Sequence, residues 1–289
     1  MTPTRLSARG LAAGYRDRVV LDDIDLDVKP AGITAIVGAN ACGKSTLLRS
    51  LSRLLAPRRG QVLLDGHDLH RLPARRLAQR LGLLPQAPLA PEGITVQDLV
   101  SRGRHPHQGM FQRWSRDDDD AVSEALEATD TADLADRLLE ELSGGQRQRV
   151  WIAMALAQRT EVLLLDEPTT YLDIHHQVEV LDLLQDLNHQ RGTTIVMVLH
   201  ELNLAARYAD ELIAMAAGRV YASGPPHEMM TATMVREVFG LDSHVFADPI
   251  SGRPMMVPLN RQKRGKAQAN PVTADAAAST NRPATITSG

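Results

Sequence analysis

The chain has 289 residues, a formal net charge of −3 and 43% hydrophobic residues, so its length suits one large domain or two small ones. Its longest unbroken apolar run is residues 150–157, well below the roughly 20 residues that cross a bilayer. We therefore expect neither a membrane span nor an export signal. The single cysteine, Cys42, excludes an internal disulfide, and the balanced charge gives no reason to expect a nucleic-acid partner.

Four short apolar runs predict strands of a parallel sheet. They cover residues 33–37, 81–84, 162–165 and 195–199, and such continuous apolar runs are typical of strands that helices cover on both faces. Apolar residues at helical spacing follow the last two runs, so strands and helices alternate and the predicted fold class is α/β. Ligands of such sheets bind beyond the carboxyl ends of the strands, where the sequence has Gly38, Gln86, Asp166 and His200.

Two further segments differ from this pattern. Residues 88–159 contain helical patterns and no convincing strand, and one predicted helix begins at Ser115, before four consecutive aspartates. Because consecutive helical positions point about 100° apart, we interpret the aspartates as a solvated helix start rather than a metal site. The tail, residues 259–289, carries five basic residues and one acid and has almost nothing to bury, so we predict that it is disordered.

Residues 38–45, GANACGKS, match the pattern of a phosphate-binding loop between a buried strand and a helix. Backbone N–H groups of the loop and of the helix start can surround phosphate oxygens. Lys44 would reach the β- and γ-phosphates, and the Ser45 hydroxyl would bind magnesium. We expect Ala41, in the middle of the loop, to have a helical-type conformation. The predicted nucleotide contacts of this segment are Gly38, Asn40, Gly43, Lys44, Ser45 and Thr46.

Two other motifs predict further parts of a phosphate site. An apolar strand ends in Asp166, which could hold magnesium, and Glu167, which could position or deprotonate an attacking water. Residues 142–146, LSGGQ, stand at a predicted helix start and predict a second phosphate receptor. One nucleotide cannot easily use both receptors of its own subunit, which favours a symmetric head-to-tail dimer with nucleotide between the copies. The residues of this second receptor are Ser143, Gly144, Gly145 and Gln146.

In this order, the motifs resemble those of the ATP-binding subunits of ABC transporters, over roughly residues 6–258. The resemblance implies a P-loop NTPase with a RecA-like core sheet, an antiparallel β subdomain and an inserted α-helical subdomain. The helical subdomain would carry residues 142–146, the signature motif. The implied boundaries are residues 1–87 and 160–258 for the nucleotide-binding core, 88–159 for the helical subdomain and 259–289 for the tail.

The resemblance also implies roles for single residues. Tyr15 is similar to the aromatic residue that stacks on adenine, and Gln86 to the glutamine that contacts magnesium and senses the membrane partner. Glu167 is similar to the catalytic base, Asp173 to the D-loop aspartate and His200 to the switch histidine that contacts the γ-phosphate. The implied cofactors are ATP and Mg²⁺. The implied catalytic set is Glu167, His200, Gln86 and Lys44, and the magnesium set is Ser45, Gln86 and Asp166.

Segments outside the ATP site resemble the branch of this family that imports iron–siderophore complexes, which also includes haem and cobalamin importers. We interpret these segments as marks of lineage and as permease contacts; they are residues 102–108, 171–177, 200–210 and 248–254. The implied partners are a second copy of the chain, integral membrane permease subunits and, indirectly, an extracytoplasmic substrate-binding protein. The implied location is the cytoplasmic face of the cell membrane, as a peripheral subunit. The alternatives are a haem or cobalamin importer ATPase, or a soluble ABC ATPase of cofactor assembly.

Overall fold

The computed structural model describes residues 5–109, 114–170 and 172–259. Apart from Leu259, the predicted disordered tail lies outside the described residues, as does Tyr171 of segment 171–177. In the described ranges, no helix combines the length and the apolar character needed to span a membrane. The α-helices are α1 (Lys44–Leu51), α2 (Ala74–Ala78), α3 (Val96–Ser101), α4 (Arg116–Ala128), α5 (Gly144–Ala157), α6 (Ile174–Arg191), α7 (Leu202–Tyr208), α8 (Pro226–Met229) and α9 (Ala232–Phe239).

The strands of the described residues form three sheets, of six, four and two strands. The sheets have the orders β2-β1-β4-β5, β10-β9-β3-β8-β7-β6 and β11-β12 in a numbering that follows the chain. The strands are β1 (Leu6–Tyr15), β2 (Arg18–Asp27), β3 (Ile33–Gly38), β4 (Arg59–Leu64), β5 (His67–Asp68), β6 (Leu81–Leu84), β7 (Val162–Asp166), β8 (Thr194–Val198), β9 (Glu211–Ala216), β10 (Arg219–Gly224), β11 (Ser243–Ala247) and β12 (Pro254–Pro258).

The six-stranded sheet contains the four predicted strands as neighbours. Strands β3, β8, β7 and β6 pair in parallel, and β9 pairs in parallel with β3. β3, β7 and β8 are buried along their whole length, because alternate side chains enter two different cores. In β3, for example, Ile33, Ala35 and Val37 join one core and Ile36 joins the other. The predicted burial on both faces is confirmed.

The four-stranded antiparallel sheet and α1 cover one face of the central sheet. Leu47, Leu48 and Leu51 of α1 share a core with Leu11 and Leu21 of the β1–β2 hairpin. The core also contains side chains of β7 and β8, so α1 lies between the two sheets. This arrangement fixes the start of α1 directly after β3, where the chain leaves the carboxyl edge of the central sheet.

Between β6 and β7 the described residues form α3, α4, α5 and short 3₁₀ segments, without a strand. In this region Asp118 is buried and accepts a 2.8 Å hydrogen bond from Nε of the buried Arg104. Nη2 of Arg104 also donates to Asp117 Oδ2, at 2.8 Å. The interpretation of the aspartates as a solvated helix start is therefore wrong for Asp118. Arg104 is 3% exposed, so within segment 102–108 its side chain holds the subdomain together rather than facing a permease.

Candidate nucleotide site

The loop between β3 and α1 turns through three residues with positive φ, namely Gly38 (152°), Ala41 (60°) and Gly43 (109°). A Cβ atom at Gly38 would lie 2.3 Å from the carbonyl oxygen of Met215 in β9. The close approach of β9 to the end of β3 therefore requires glycine at position 38. The expected helical-type conformation of Ala41 is wrong. Ala41 lies in the left-handed region, which costs a residue with a Cβ atom about 1–2 kcal/mol.

Lys44 begins α1, and its side chain folds back over the loop. The residue is buried, and Nζ donates hydrogen bonds to the carbonyl oxygens of Gly38 at 2.9 Å and Ala39 at 3.1 Å. The first-turn N–H groups of a helix have no partner within that helix, and they stand at the positive end of its dipole. A buried ammonium group beside such donors suits phosphate oxygens, so the loop fits the phosphates of a nucleotide.

Ser45 and Asp166 meet where β7 ends beside α1. Ser45 Oγ donates a 3.1 Å hydrogen bond to Asp166 Oδ1. Burial raises the pKa of the Asp166 carboxyl, and the nearby charge of Glu167 adds to this, against the Ser45 hydrogen bond and the positive charges of Arg49 and Lys44. Hydroxyl and carboxylate oxygens are ligands that Mg²⁺ accepts alongside water and substrate phosphates. This oxygen-only pair therefore fits magnesium, although the described ranges contain no group of three His, Cys, Asp or Glu residues suited to a metal.

Three side chains converge on the carboxylate of Glu167, whose side chain is 9% exposed. His200 Nε2 lies 2.5 Å from Oε1, and Gln86 Nε2 donates to Oε2 at 2.7 Å. Thr170 Oγ1 also donates to Oε2, at 3.1 Å. Gln86 follows β6 and His200 follows β8, the two neighbours of β7 in the sheet. Gln86 and His200, which the sequence predicted at the carboxyl ends of the strands, therefore meet at Glu167.

The signature motif lies at the start of α5. Ser143 Oγ accepts from the Gln146 N–H at 3.2 Å, and Gln146 Oε1 accepts from the Ser143 N–H at 3.0 Å, so the two residues form a capping box. Ser143 and Gly144 are exposed, and a Cβ atom at Gly144 would have no neighbour within 4 Å. In the part of the chain that the structure describes, no hydrogen bond or ion pair joins residues 143–146 to residues 38–46.

The signature helix instead contacts the segment that follows β7. A Cβ atom at Gly145 would lie 3.7 Å from both Leu172 and the His176 ring. Asp173 caps α6: its Oδ1 accepts a 3.0 Å hydrogen bond from the His176 N–H and lies 2.8 Å from His176 Nδ1. These contacts lower the pKa of the Asp173 carboxyl. Asp173 thus stands beside the signature motif of its own subunit.

Tyr15 stands at the end of β1 with 42% of its surface exposed. Its hydroxyl accepts a 3.1 Å hydrogen bond from Arg49 Nη1, in the last turn of α1. The contact ties the ring to the helix that begins at the phosphate loop and leaves part of the ring in solvent. An exposed aromatic face at this place is compatible with the predicted stacking on a base.

A family model described as "ABC transporter" matches residues 21–170. The chain belongs to the ABC transporter family. It is 50% identical over 260 residues to the achromobactin transport ATP-binding protein of Dickeya dadantii, with 90% of this chain and 97% of the relative covered. It is 48% identical to the ferric enterobactin transport ATP-binding protein of Escherichia coli, covering 89% and 95%. Identity to the cobalamin import ATP-binding protein of Halobacterium salinarum is 39%, covering 88% of this chain and 63% of the relative.

Solved structures confirm the predicted fold class. An ABC transporter in an inward-facing conformation matches with a TM-score of 0.77 and 28% identity, covering 90% of this chain and 99% of that chain. A dimeric ATP-binding cassette in a post-hydrolysis state, bound to ADP and inorganic phosphate, matches with a TM-score of 0.68 and 26% identity, covering 76% and 98%. The family and the P-loop NTPase fold predicted from the sequence are therefore correct.

Two contacts of this ABC transporter site were not predicted from the sequence. One is the hydrogen bond from Thr170 to Glu167 described above. The other joins the signature helix to the segment after β7, where Gln148 Nε2 donates to the Pro168 carbonyl oxygen at 2.9 Å. The position of Thr170, three residues after Glu167, is a signal for the first contact, because a turn brings such residues together. Nothing in the local sequence pairs Gln148 with Pro168.

Proposed function

We propose that this chain is the ATP-hydrolysing subunit of an ABC importer for iron–siderophore complexes. The observation that carries the hydrolytic part is the carboxylate of Glu167, held between Gln86 and His200 beside the Ser45–Asp166 oxygen pair. Identity of 48–50% over nearly 90% of the chain to ATP-binding proteins named for achromobactin and ferric enterobactin supports the substrate class. Identity to the cobalamin relative is lower, at 39%, which favours siderophores over the sibling substrate.

In this proposal the loop residues hold the phosphates of ATP. Backbone N–H groups at Gly38, Asn40 and Gly43 and in the first turn of α1 surround the phosphate oxygens, and Thr46 contacts an α-phosphate oxygen. The Lys44 ammonium leaves its two loop carbonyls and pairs with the β- and γ-phosphates. Ser45, Asp166 and Gln86 supply the oxygens for Mg²⁺, whose chemistry is to neutralise the charge that develops on the transferred phosphoryl group.

Glu167 acts as the general base. Its carboxylate accepts a proton from a water that is aligned with the γ-phosphate, while His200 contacts that phosphate and stabilises its charge. Gln86 and His200 both contact Glu167 in this structure, so each has to turn from Glu167 to its ligand when nucleotide is present. Gln86, Glu167 and His200 are thus already in contact before nucleotide binds, which favours their correct placement for the reaction.

The second phosphate receptor serves a second copy of the chain. Ser143, Gly144, Gly145 and Gln146 offer an exposed hydroxyl, backbone donors and a helix N-terminus. The γ-phosphate of a nucleotide bound to the other copy would occupy this receptor, beside Asp173 of the receptor's own subunit. Tyr15 of the other copy would stack on the adenine of that nucleotide. The symmetric arrangement gives two such sites in one homodimer.

The partners in the membrane follow from the same proposal. Residues 88–159 form the subdomain that transmits the closure of the dimer to integral membrane permease subunits, and an extracytoplasmic substrate-binding protein acts through them. The chain is then a peripheral subunit at the cytoplasmic face of the membrane, with no nucleic-acid partner. A haem or cobalamin importer and a soluble ATPase of cofactor assembly remain the alternative functions.

The hydrolytic role is tested by Glu167→Gln in the purified protein. The amide retains the size of the carboxylate and cannot accept the proton, so we expect hydrolysis to fall by a factor of about 100 or more while ATP-driven dimerisation persists. Turnover is measured by phosphate release, and dimerisation by size-exclusion chromatography with ATP. Glu127→Gln, an exposed change on α4, is the matched control. Normal turnover in Glu167→Gln removes Glu167 as the base.

The substrate is tested with the permease that co-purifies from detergent extracts. We expect ATP hydrolysis by the reconstituted complex to rise when the substrate-binding protein carries a ferric siderophore. Haem-loaded and cobalamin-loaded binding proteins provide the other two arms of the comparison. Stimulation by either of these alone assigns the chain to that branch, and the absence of any permease supports the cofactor-assembly alternative.

A further inference from the structure

The turn after β7 holds Glu167 in an unusual conformation. Glu167 has a φ of 56°, in the left-handed region that residues with a side chain rarely occupy. The Thr170 N–H donates to the Glu167 carbonyl oxygen at 3.2 Å, and the Thr170 hydroxyl donates to Glu167 Oε2 at 3.1 Å. One residue therefore contacts both the backbone and the carboxylate of Glu167.

The three contacts of the carboxylate differ in their origin. Gln86 and His200 stand on separate segments at the ends of β6 and β8, and the His200 side chain is 42% exposed. Either side chain can leave Glu167 without a change in the segment after β7. Thr170 belongs to the same turn as Glu167, so its hydroxyl stays near the carboxylate as long as the turn persists.

The backbone of this turn is anchored independently of the Thr170 hydroxyl. Pro168 and Thr169 are buried, and Gln148 Nε2 donates to the Pro168 carbonyl oxygen at 2.9 Å. The Leu172 N–H donates to the Thr169 carbonyl oxygen. Loss of the hydroxyl alone therefore leaves the path of the chain unchanged and affects the orientation of the carboxylate.

We propose that Thr170 is a positioning residue that holds Glu167 Oε2 while Oε1 faces the attacking water. This inference rests on the proposed role of Glu167 as general base. When Gln86 and His200 turn to their ligands, the Thr170 hydroxyl is the remaining donor of the three, and it fixes the rotamer of the carboxylate. A general base has to lie within hydrogen-bond reach of the proton that it accepts, so a freely rotating carboxylate reduces turnover without weakening the binding of ATP.

The test compares Thr170→Val, which removes the hydroxyl and keeps the branched shape, with Thr170→Ser, which keeps the hydroxyl. We expect Thr170→Val to lower kcat roughly tenfold, equivalent to about 1.4 kcal/mol, with the KM for ATP and the ATP-driven dimer unchanged. Thr170→Ser is expected to remain within about twofold of the unaltered protein, a difference that corresponds to only a few tenths of a kcal/mol. An unchanged kcat in Thr170→Val, or a kcat in Thr170→Ser as low as in Thr170→Val, overturns the proposal.

Two further measurements separate a positioning role from a structural one. Circular dichroism and the unfolding temperature of Thr170→Val are compared with those of the unaltered protein, and Thr170→Ala replaces it if the valine variant does not fold. Thr170→Val is also combined with Glu167→Gln, where we expect no further fall in the residual rate, because Thr170 acts through Glu167. A further fall overturns the inference. If Glu167→Gln itself retains normal turnover, the proposed function fails and the inference fails with it, whereas normal turnover in Thr170→Val alone refutes only the inference.

Discussion

Replacing Arg104 by methionine removes a guanidinium that ties three parts of the helical segment together. Nε of Arg104 donates to Asp118 Oδ1 at 2.8 Å, Nη2 donates to Asp117 Oδ2 at 2.8 Å, and Nη1 donates to the carbonyl oxygen of Ala157 at 3.0 Å. These partners lie on α4 and at the end of α5, while Arg104 belongs to the 3₁₀ segment Arg102–His107. The methionine side chain retains the apolar stem and loses every one of these hydrogen bonds.

The cost comes mainly from the carboxylate that is left behind. The Asp118 side chain is 7% exposed, and among the described residues the N–H and hydroxyl of Ser115 remain as its donors. Breaking a buried ion pair by removing one partner typically costs about 3–5 kcal/mol. For a chain of this size each kcal/mol corresponds to roughly 2–4 °C in unfolding temperature, so we expect Arg104→Met to unfold roughly 6–20 °C below the unaltered protein.

The measurement is thermal unfolding at neutral pH, followed by circular dichroism. Arg102→Met, an exposed arginine in the same segment, is the matched control and should change the unfolding temperature little. The double variant Arg104→Met/Asp118→Leu removes both charges and should recover much of the loss. A loss under about 1 kcal/mol for Arg104→Met would refute the reasoning, since that is the range of an exposed ion pair.

The dependence of this effect on pH follows from the direction of the pKa shift. Burial raises the pKa of Asp118, but the hydrogen bonds from Arg104 and Ser115 outweigh it and hold the pKa below the ordinary value of 3.8. A group with a lowered pKa stabilises the folded state above its unfolded pKa and loses that contribution as the pH falls through its folded pKa. The difference in stability between the unaltered protein and Arg104→Met should therefore shrink below pH 3.8 and be largest near neutral pH.

Substitutions at Gly144 and Ala41 give the remaining predictions. Gly144→Ala adds a Cβ atom that meets nothing within 4 Å in its own subunit, so we expect normal folding and normal ATP binding by the monomer. We also expect lower turnover, because the methyl group enters the space of the phosphate bound to the other copy. Normal turnover would contradict the shared site. Ala41→Gly removes the penalty of a left-handed alanine at φ 60°, about 1–2 kcal/mol. The greater freedom of glycine in the unfolded chain lowers stability by up to about 1 kcal/mol. Urea unfolding should show a net gain of up to about 1.5 kcal/mol, and a loss of stability would show that the loop is not strained at Ala41.

The parallel sheet, and the sheet edge at which the site lies, could be predicted because local sequence patterns indicate both. Strands buried on both faces need continuous apolar residues, and β3, β7 and β8 each carry such a run. Polar residues that end such strands meet at one edge of the sheet, whatever helices connect them. That rule predicted Gly38, Gln86, Asp166 and His200 at this edge, and the two carboxylates at the end of one apolar strand added Glu167.

The contacts that the sequence did not reveal depend on tertiary packing. Asp118 is one of four consecutive aspartates, and its burial depends on an arginine 14 residues earlier in the chain. Helical spacing places Asp118 on the same face as the buried Ala121, Val122 and Ala125, but it does not show which cation pairs with the aspartate. The φ of Ala41 was misjudged for a related reason, because the close approach of β3 to Met215 and the start of α1 dictate the path of the loop. The fixed positions of β3 and α1 then override the local conformational preference of Ala41.

The left-handed conformation of Glu167 explains how a residue at the end of β7 contacts side chains that follow both neighbouring strands, β6 and β8. In an extended strand, successive side chains point to opposite faces of the sheet, so a continued β7 would direct residue 167 away from the face that Asp166 shares with Ser45. The turn at φ 56° interrupts this alternation and brings the carboxylate between Gln86, after β6, and His200, after β8. A glycine would adopt this φ without strain but has no carboxylate. The chain therefore accepts a penalty of about 1–2 kcal/mol at the residue that we propose as the general base, and the anchored backbone of Pro168–Thr170 keeps it there.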